Sequence, residues 1–150
     1  MAVMTIEDVL RHAERFEQML ADFYADLSEH SCREGVRLLT DYMSRHCKRI
    51  AEALEKLSPE QVRRVCSAPL RYEPHAADCR CFDRIELSDD PLAAVVLDAA
   101  VILDECLVSL YRQVLQQPVD GESRELFESL VRAEQRDEIE LKKIKAMDYF

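Results

Sequence analysis

Turn-forming residues are scarce in this chain: 150 residues contain only 2 Gly and 5 Pro, and no Trp. So little punctuation excludes a sheet protein with many tight turns and suits long helices. A basic excess is also missing. The formal net charge is -10, and cations such as Arg33, Arg37, Lys48 and Lys142 are interleaved with acids. No nucleic-acid partner is expected, because binding through counterion release needs clustered Lys and Arg. No apolar run approaches the ~18 residues of a membrane span. Met1 to Leu10 carries Glu7 and Asp8 without a basic segment leading into an apolar one, unlike a signal peptide. The expectation is a cytoplasmic protein with no membrane partner, whose six cysteines are mostly free thiols. Cys47, Cys66 and Cys106 lie in apolar or helical surroundings and read as small core residues.

What is present is a globular composition, 48% hydrophobic and 33% charged, in a length that suits one domain with a real core. Four segments carry apolar residues at spacings of three and four. The first covers about 5–28, through Ile6, Val9, Leu10, Ala13, Phe16, Leu20, Phe23, Tyr24 and Leu27. A second, about 33–57, carries Val36, Leu39, Met43, Ile50, Leu54 and Leu57. The short link at Glu29 to Cys32 makes these two an antiparallel hairpin. Ser58-Pro59 reads as a cap and first-turn proline, the start of a short extra helix through Val65. Asp89 or Asp90 before Pro91 reads as the cap of a third helix, about 91–116, through Leu92, Val95, Val96, Ala99, Leu103, Leu107, Leu110 and Val114. After a turn at Pro118 to Gly121, the fourth runs about 122–147.

The predicted fold is all-α: a four-helix bundle of two antiparallel hairpins joined by a long crossover, 58–90. Connections of that length need a reason in a compact domain. One reason is that the crossover lets the third helix lie parallel to the second. The other is that it forms a lid or binding loop.

Each helix places a polar group on or beside its inner stripe. Glu17 falls between Ala13 and Leu20, and His46 between Met43 and Ile50. Asp104 sits at the edge of the third stripe, where Glu105 is the alternative inward residue. Glu134 and Asp137 occupy consecutive interior positions of the fourth. An isolated buried carboxylate costs several kcal/mol unless it is paired, protonated or coordinated. Four such helices point to a shared site at the bundle midpoint. The two halves also repeat. Glu17 stands seven residues before Tyr24, and Asp104 seven before Tyr111; Met43-x-x-His46 corresponds to Glu134-x-x-Asp137.

In this pattern the chain resembles the ferritin-like superfamily, and within it the rubrerythrin-like branch. The family carries a Glu seven residues before a Tyr, then Glu-x-x-His, in each half. The resemblance implies a metal centre held by Glu17, His46, Asp104, Glu134 and Asp137, with Tyr24 and Tyr111 around it. Met43 stands where the family has a bridging Glu, and Asp137 where it has a His. The implied ligand set is therefore degenerate: one metal or an asymmetric pair, rather than a symmetric di-iron centre. Four carboxylates and one imidazole suit Fe first, with Mn or Zn as alternatives. Iron oxidation or peroxide handling is the implied chemistry. No Cys-x-x-Cys pair is present, so a separate electron donor is implied. The alternative is a hydrogen-bonded network of the same acids with His46, Tyr24, Tyr111 or Arg136, in an interaction or assembly protein without metal.

The crossover holds a second candidate group, His75, Cys79 and Cys81. Cys-x-Cys is a poor zinc spacing, which only Cys66 or another distant residue would complete. Cys79 and Cys81 are therefore redox-thiol candidates. A homodimer through an outer helix face is the default expectation for so small a bundle.

Overall fold

A computed structural model describes residues 4–57, 70–74 and 77–147, without the side chain of Cys79. Its long elements are α1 (Ile6–His30), α2 (Glu34–Lys56), α3 (Ala93–Leu115) and α4 (Gly121–Met147). A short 3-10 helix, Cys79–Arg84, lies on the crossover. There is no strand among the described residues. The extra helix expected at Ser58-Pro59 falls outside them.

Local chemistry sets the helix starts. Thr5 and Asp8 form a capping box, Thr5 N donating to Asp8 Oδ2 at 2.8 Å and Asp8 N to Thr5 Oγ1 at 3.2 Å. At α4 the cap is Asp120, whose Oδ1 accepts from Ser123 N at 2.7 Å. At α3 the structure departs from expectation. The helix starts at Ala93, after Leu92, with no side-chain cap. Asp90 instead accepts from Ser31 Oγ at 2.7 Å and from Cys32 N at 3.2 Å. A carboxylate that could cap its own helix is taken by the donors of the α1–α2 turn.

That contact orients the bundle. The start of α2 lies beside the residues leading into α3, so these helices run parallel, as the long crossover was expected to allow. The crossover's route follows from three further contacts. Leu70 N donates to Met4 O at 2.9 Å, near the start of α1. Gln117, just past α3, exchanges hydrogen bonds with the Tyr72 backbone at 2.8 and 2.7 Å. Higher up, the Phe82 ring packs tilted against Phe16 and edge-on against Phe23, with ring centroids 5.9 and 5.2 Å apart. Residues 70–74 and 77–90 thus form a strap over the seam between α1 and α3, climbing from one end of the bundle to the other.

Within the hairpins the packing is helical throughout. Ser44 Oγ donates to Ala21 O at 2.7 Å, a contact that brings α1 and α2 close. Arg11 Nη2 donates to Leu54 O at 3.0 Å, satisfying a carbonyl in the last turn of α2. Phe16, Leu20, Leu103, Leu107, Leu110 and Phe127 are fully buried and form the centre of the core. The fourth stripe is rotated from its expected setting. α4 buries Ser123, Phe127, Val131 and Glu134, while Leu126, Leu130, Leu141 and Ile144 are only partly covered. No helix among the described residues is long and apolar enough to cross a membrane.

Candidate metal centre

Midway along the bundle, one cavity of about 140 Å³ is walled by Glu17 of α1, His46 of α2, Asp104 of α3, and Glu134 and Asp137 of α4. All five sequence candidates therefore face the same space. Tyr24, Met43, Cys47, Ile50, Leu141 and Ile144 complete its sides. Exposed Tyr42 and Glu140 also line it, which puts its mouth between α2 and α4. The described part of the crossover, residues 70–74 and 77–90, runs over the opposite seam, away from this mouth.

The acids arrive here by register. On α1, Glu17 follows Phe16 on the buried stripe and is almost wholly enclosed, at 1% exposure. Glu134 sits one turn beyond Val131 on the buried face of α4, 4% exposed. Asp104 follows the buried Leu103, and the alternative Glu105 faces solvent. His46 and Asp137 stand nearer the mouth, joined by a contact of 3.0 Å between His46 Nε2 and Asp137 Oδ2. The ring of His46 lies parallel to that of Tyr42, with centroids 6.2 Å apart.

Electrostatically the cavity is uncompensated. Burial, then the charge of Asp104, pushes the Glu17 carboxyl up to about 8. Burial, then the charge of Glu17, holds Glu134 well above the usual carboxylate range. Asp104 retains some accessible surface, yet its carboxyl is raised well above normal by burial and then by Glu134 and Asp137. A carboxyl–carboxyl hydrogen bond links Glu134 to Glu17, and the Cys47 thiol donates to Glu17 as well. Glu17 Oε1 is buried and has no hydrogen-bond partner. Among the described residues no Lys or Arg pairs with any of these acids, and Arg136, the basic residue considered for a network, faces solvent.

The two tyrosines flank this group. Tyr24 forms part of the cavity wall, and its hydroxyl is raised well above its ordinary value by burial and then by Asp104. Tyr111 lies outside the wall and packs edge-on against Phe127, with centroids 5.8 Å apart. Burial and then Glu134 raise it likewise, so both rings border the carboxyl cluster.

Two features were not anticipated from sequence. Cys47 reads as a small core residue but bonds to Glu17 in the cavity wall. One signal was available, its position four residues beyond Met43 on the same helix face. Cys81 reads as one of two loop thiols, but it is buried and hydrogen-bonds to Cys106 on α3. His75 and Cys66 lie outside the described residues. The side-chain oxygens and nitrogen of the central group are also not gathered to ligation distance. Among the described residues, the set of three ligating atoms within 4.8 Å of one another is Asp26, Glu29 and His30, on the exposed end of α1.

As a fold, this is a ferritin-like four-helix bundle. The chain superposes, with a TM-score of 0.67, on the crystal structure of a Thermotoga maritima protein provisionally assigned as a ferritin-like diiron-carboxylate protein. The two are 20% identical, and the match covers 97% of each chain. No family model matches the sequence, and no curated protein matches it.

Proposed function

We propose that this protein is a ferritin-like metal-binding protein of the rubrerythrin-like kind. Its atypical centre holds a single ion, or an asymmetric pair, among Glu17, His46, Asp104, Glu134 and Asp137. The observation that carries the reading is a cluster of buried carboxyls that no Lys or Arg pairs among the described residues, one of whose oxygens, Glu17 Oε1, has no partner. Buried acids of this kind are neutralised by protons or by a cation. The diiron-carboxylate assignment of the Thermotoga maritima protein supports the cation, with iron first and Mn or Zn as alternatives.

The donor set fits one hard or borderline ion: carboxylate oxygens and one imidazole. It does not fit a symmetric pair, because Met43 offers a thioether where a second bridging carboxylate would be needed. When bound, iron would supply one-electron redox chemistry at the bundle midpoint. Glu17 and Glu134 would bind from the buried side after losing their protons. His46 and Asp137 would close the site from the mouth. Tyr24 would orient the carboxyl group beside it and exclude water. The chemistry assigned to the centre is iron oxidation or peroxide handling in the cytoplasm, with electrons exchanged with a separate donor.

Loading the purified protein with Fe, Mn and Zn in turn, then measuring bound metal and melting temperature, tests the reading. At least one ion per chain with a raised melting temperature is expected, since a ligand of the folded state alone must stabilise it. Glu134→Gln should abolish that rise. Sub-stoichiometric metal would sink the proposal.

A second reading has its own support. The Glu17–Glu134 and His46–Asp137 pairs already bond within themselves, and their ligating atoms do not converge. On that reading the acids form a proton-sharing network in a non-enzymatic interaction or assembly protein. It requires an unchanged melting temperature with every metal and an unaffected or more stable Glu134→Gln variant.

A further inference from the structure

Cys81 lies on the 3-10 helix of the strap and Cys106 on α3, and their thiols hydrogen-bond to each other. Both side chains are buried in the common core. The strap fixes Cys81 in place. Its N–H donates to Asp78 O at 3.0 Å, and the adjacent Phe82 is held against Phe16 and Phe23. On the same 3-10 helix, Arg84 brings Nη1 to 3.6 Å from Cys106 Sγ. A cation is thus aimed at one sulfur of the pair.

We propose that Cys81 and Cys106 form a site of oxidative modification, which a hydroperoxide closes to a reversible disulfide between the strap and α3. In the first step Cys81 sulfur attacks the peroxide. The O–O bond breaks, an S–O bond forms, and an alcohol (or water, from hydrogen peroxide) leaves with the thiol proton. In the second, Cys106 sulfur attacks Cys81 sulfur. The S–S bond forms, the S–O bond breaks, and water leaves. The two thiols together lose two electrons and two protons to one peroxide.

Cys81 reacts first because the strap is a single layer, with its neighbours Arg80 and Asp83 in solvent. Cys106 resolves because Arg84 Nη1, 3.6 Å from its Sγ, stabilises the negative charge that develops on that sulfur as it attacks. This site stands independently of the metal reading, since neither sulfur lines the central cavity.

The test is a peptide map of the full chain after hydrogen peroxide, with remaining thiols alkylated. Trypsin cuts after Arg80 and Arg84 and so separates Cys79 from Cys81. Expected is a link between the Cys81 and Cys106 peptides and a mass loss of about 2 Da per chain, reversed by dithiothreitol. Cys79→Ser should keep the link, while Cys81→Ser and Cys106→Ser lose it. Should either variant fail to fold, the wild-type map alone decides. A Cys79–Cys81 link overturns the proposal. So does oxygen added at Cys81 without a link, or alkylation of both thiols after peroxide has oxidised the exposed Cys32.

Discussion

His46 Nε2 lies 3.0 Å from Asp137 Oδ2 and joins α2 to α4 at the mouth of the cavity. The two side chains keep 35% and 28% of their surface accessible, so solvent screens the contact and its stabilisation is small. Replacing His46 with Ala should therefore change the stability of the metal-free protein by less than about 1 kcal/mol. Metal affinity, by contrast, should fall at least ~10-fold, the lower end of what a disturbed coordination shell costs. Denaturant titration and equilibrium dialysis with the same variant separate the two effects.

Glu17 sets an unusual pH dependence. Its carboxyl titrates near 8 in the folded protein, against 4.5 for an ordinary Glu. Between these values the folded state holds a proton that the unfolded chain has released, so stability falls as pH rises through that window. Glu134 and Asp104, also raised, act in the same direction. Asp78, Asp90 and Asp120 are lowered and lose their contribution only under acid conditions. The metal-free protein should melt at least about 5 °C higher at pH 6 than at pH 8.5. Glu17→Gln should flatten the difference, as thermal melts across this range would show. Because ligation requires deprotonated carboxyls, metal-induced stabilisation should grow over the same interval.

Met43 can be asked directly whether it limits the metal count. It is 5% exposed and lines the cavity. Met43→Glu restores Glu-x-x-His on α2 and should raise bound iron from about one ion per chain to about two, since a bridging carboxylate is what a paired site needs. The metal-free variant should be less stable than the parent, with another uncompensated acid in the wall. Elemental analysis after anaerobic iron loading gives the count, and an unchanged value would mean that Met43 is not the limiting residue.

Phe82 tests the strap. Its ring bridges Phe16 and Phe23, and Phe82→Ala should cost about 1–3 kcal/mol by losing partly buried aromatic contacts. Because the strap lies on the seam away from the cavity mouth, metal affinity should not change. Denaturation curves with and without metal read both quantities, and a parallel loss of affinity would show that the strap supports the centre.

Most of the bundle was legible because helical periodicity is local. Ile6 to Tyr24 and Val96 to Val114 declare their buried faces at spacings a single helix imposes. The candidate site was legible for the same reason, since Glu17, His46 and Glu134 interrupt apolar stripes near mid-helix. Less visible were choices between competing partners. Asp90 has the sequence of a cap, yet bonds to Ser31 and Cys32 from a distant turn. Cys81 stands two residues from Cys79, yet hydrogen-bonds to Cys106.

The sequence by itself determined four amphipathic helices, the order of their hairpins and the presence of acids on the inner faces. These follow from side-chain type at fixed helical spacing, which requires no knowledge of the rest of the chain. Only the tertiary structure decided that the five candidates wall one cavity, that its mouth lies between α2 and α4, and that residues 70–74 and 77–90 of the crossover lie over the other seam. It also decided that Asp104 rather than Glu105 faces the centre, and that no Lys or Arg among the described residues pairs with the buried carboxyls. Those outcomes depend on how helices rotate and pack against one another. A rotation of one residue on α3 or α4 exchanges a ligand for a solvated acid without altering the pattern that makes the helix.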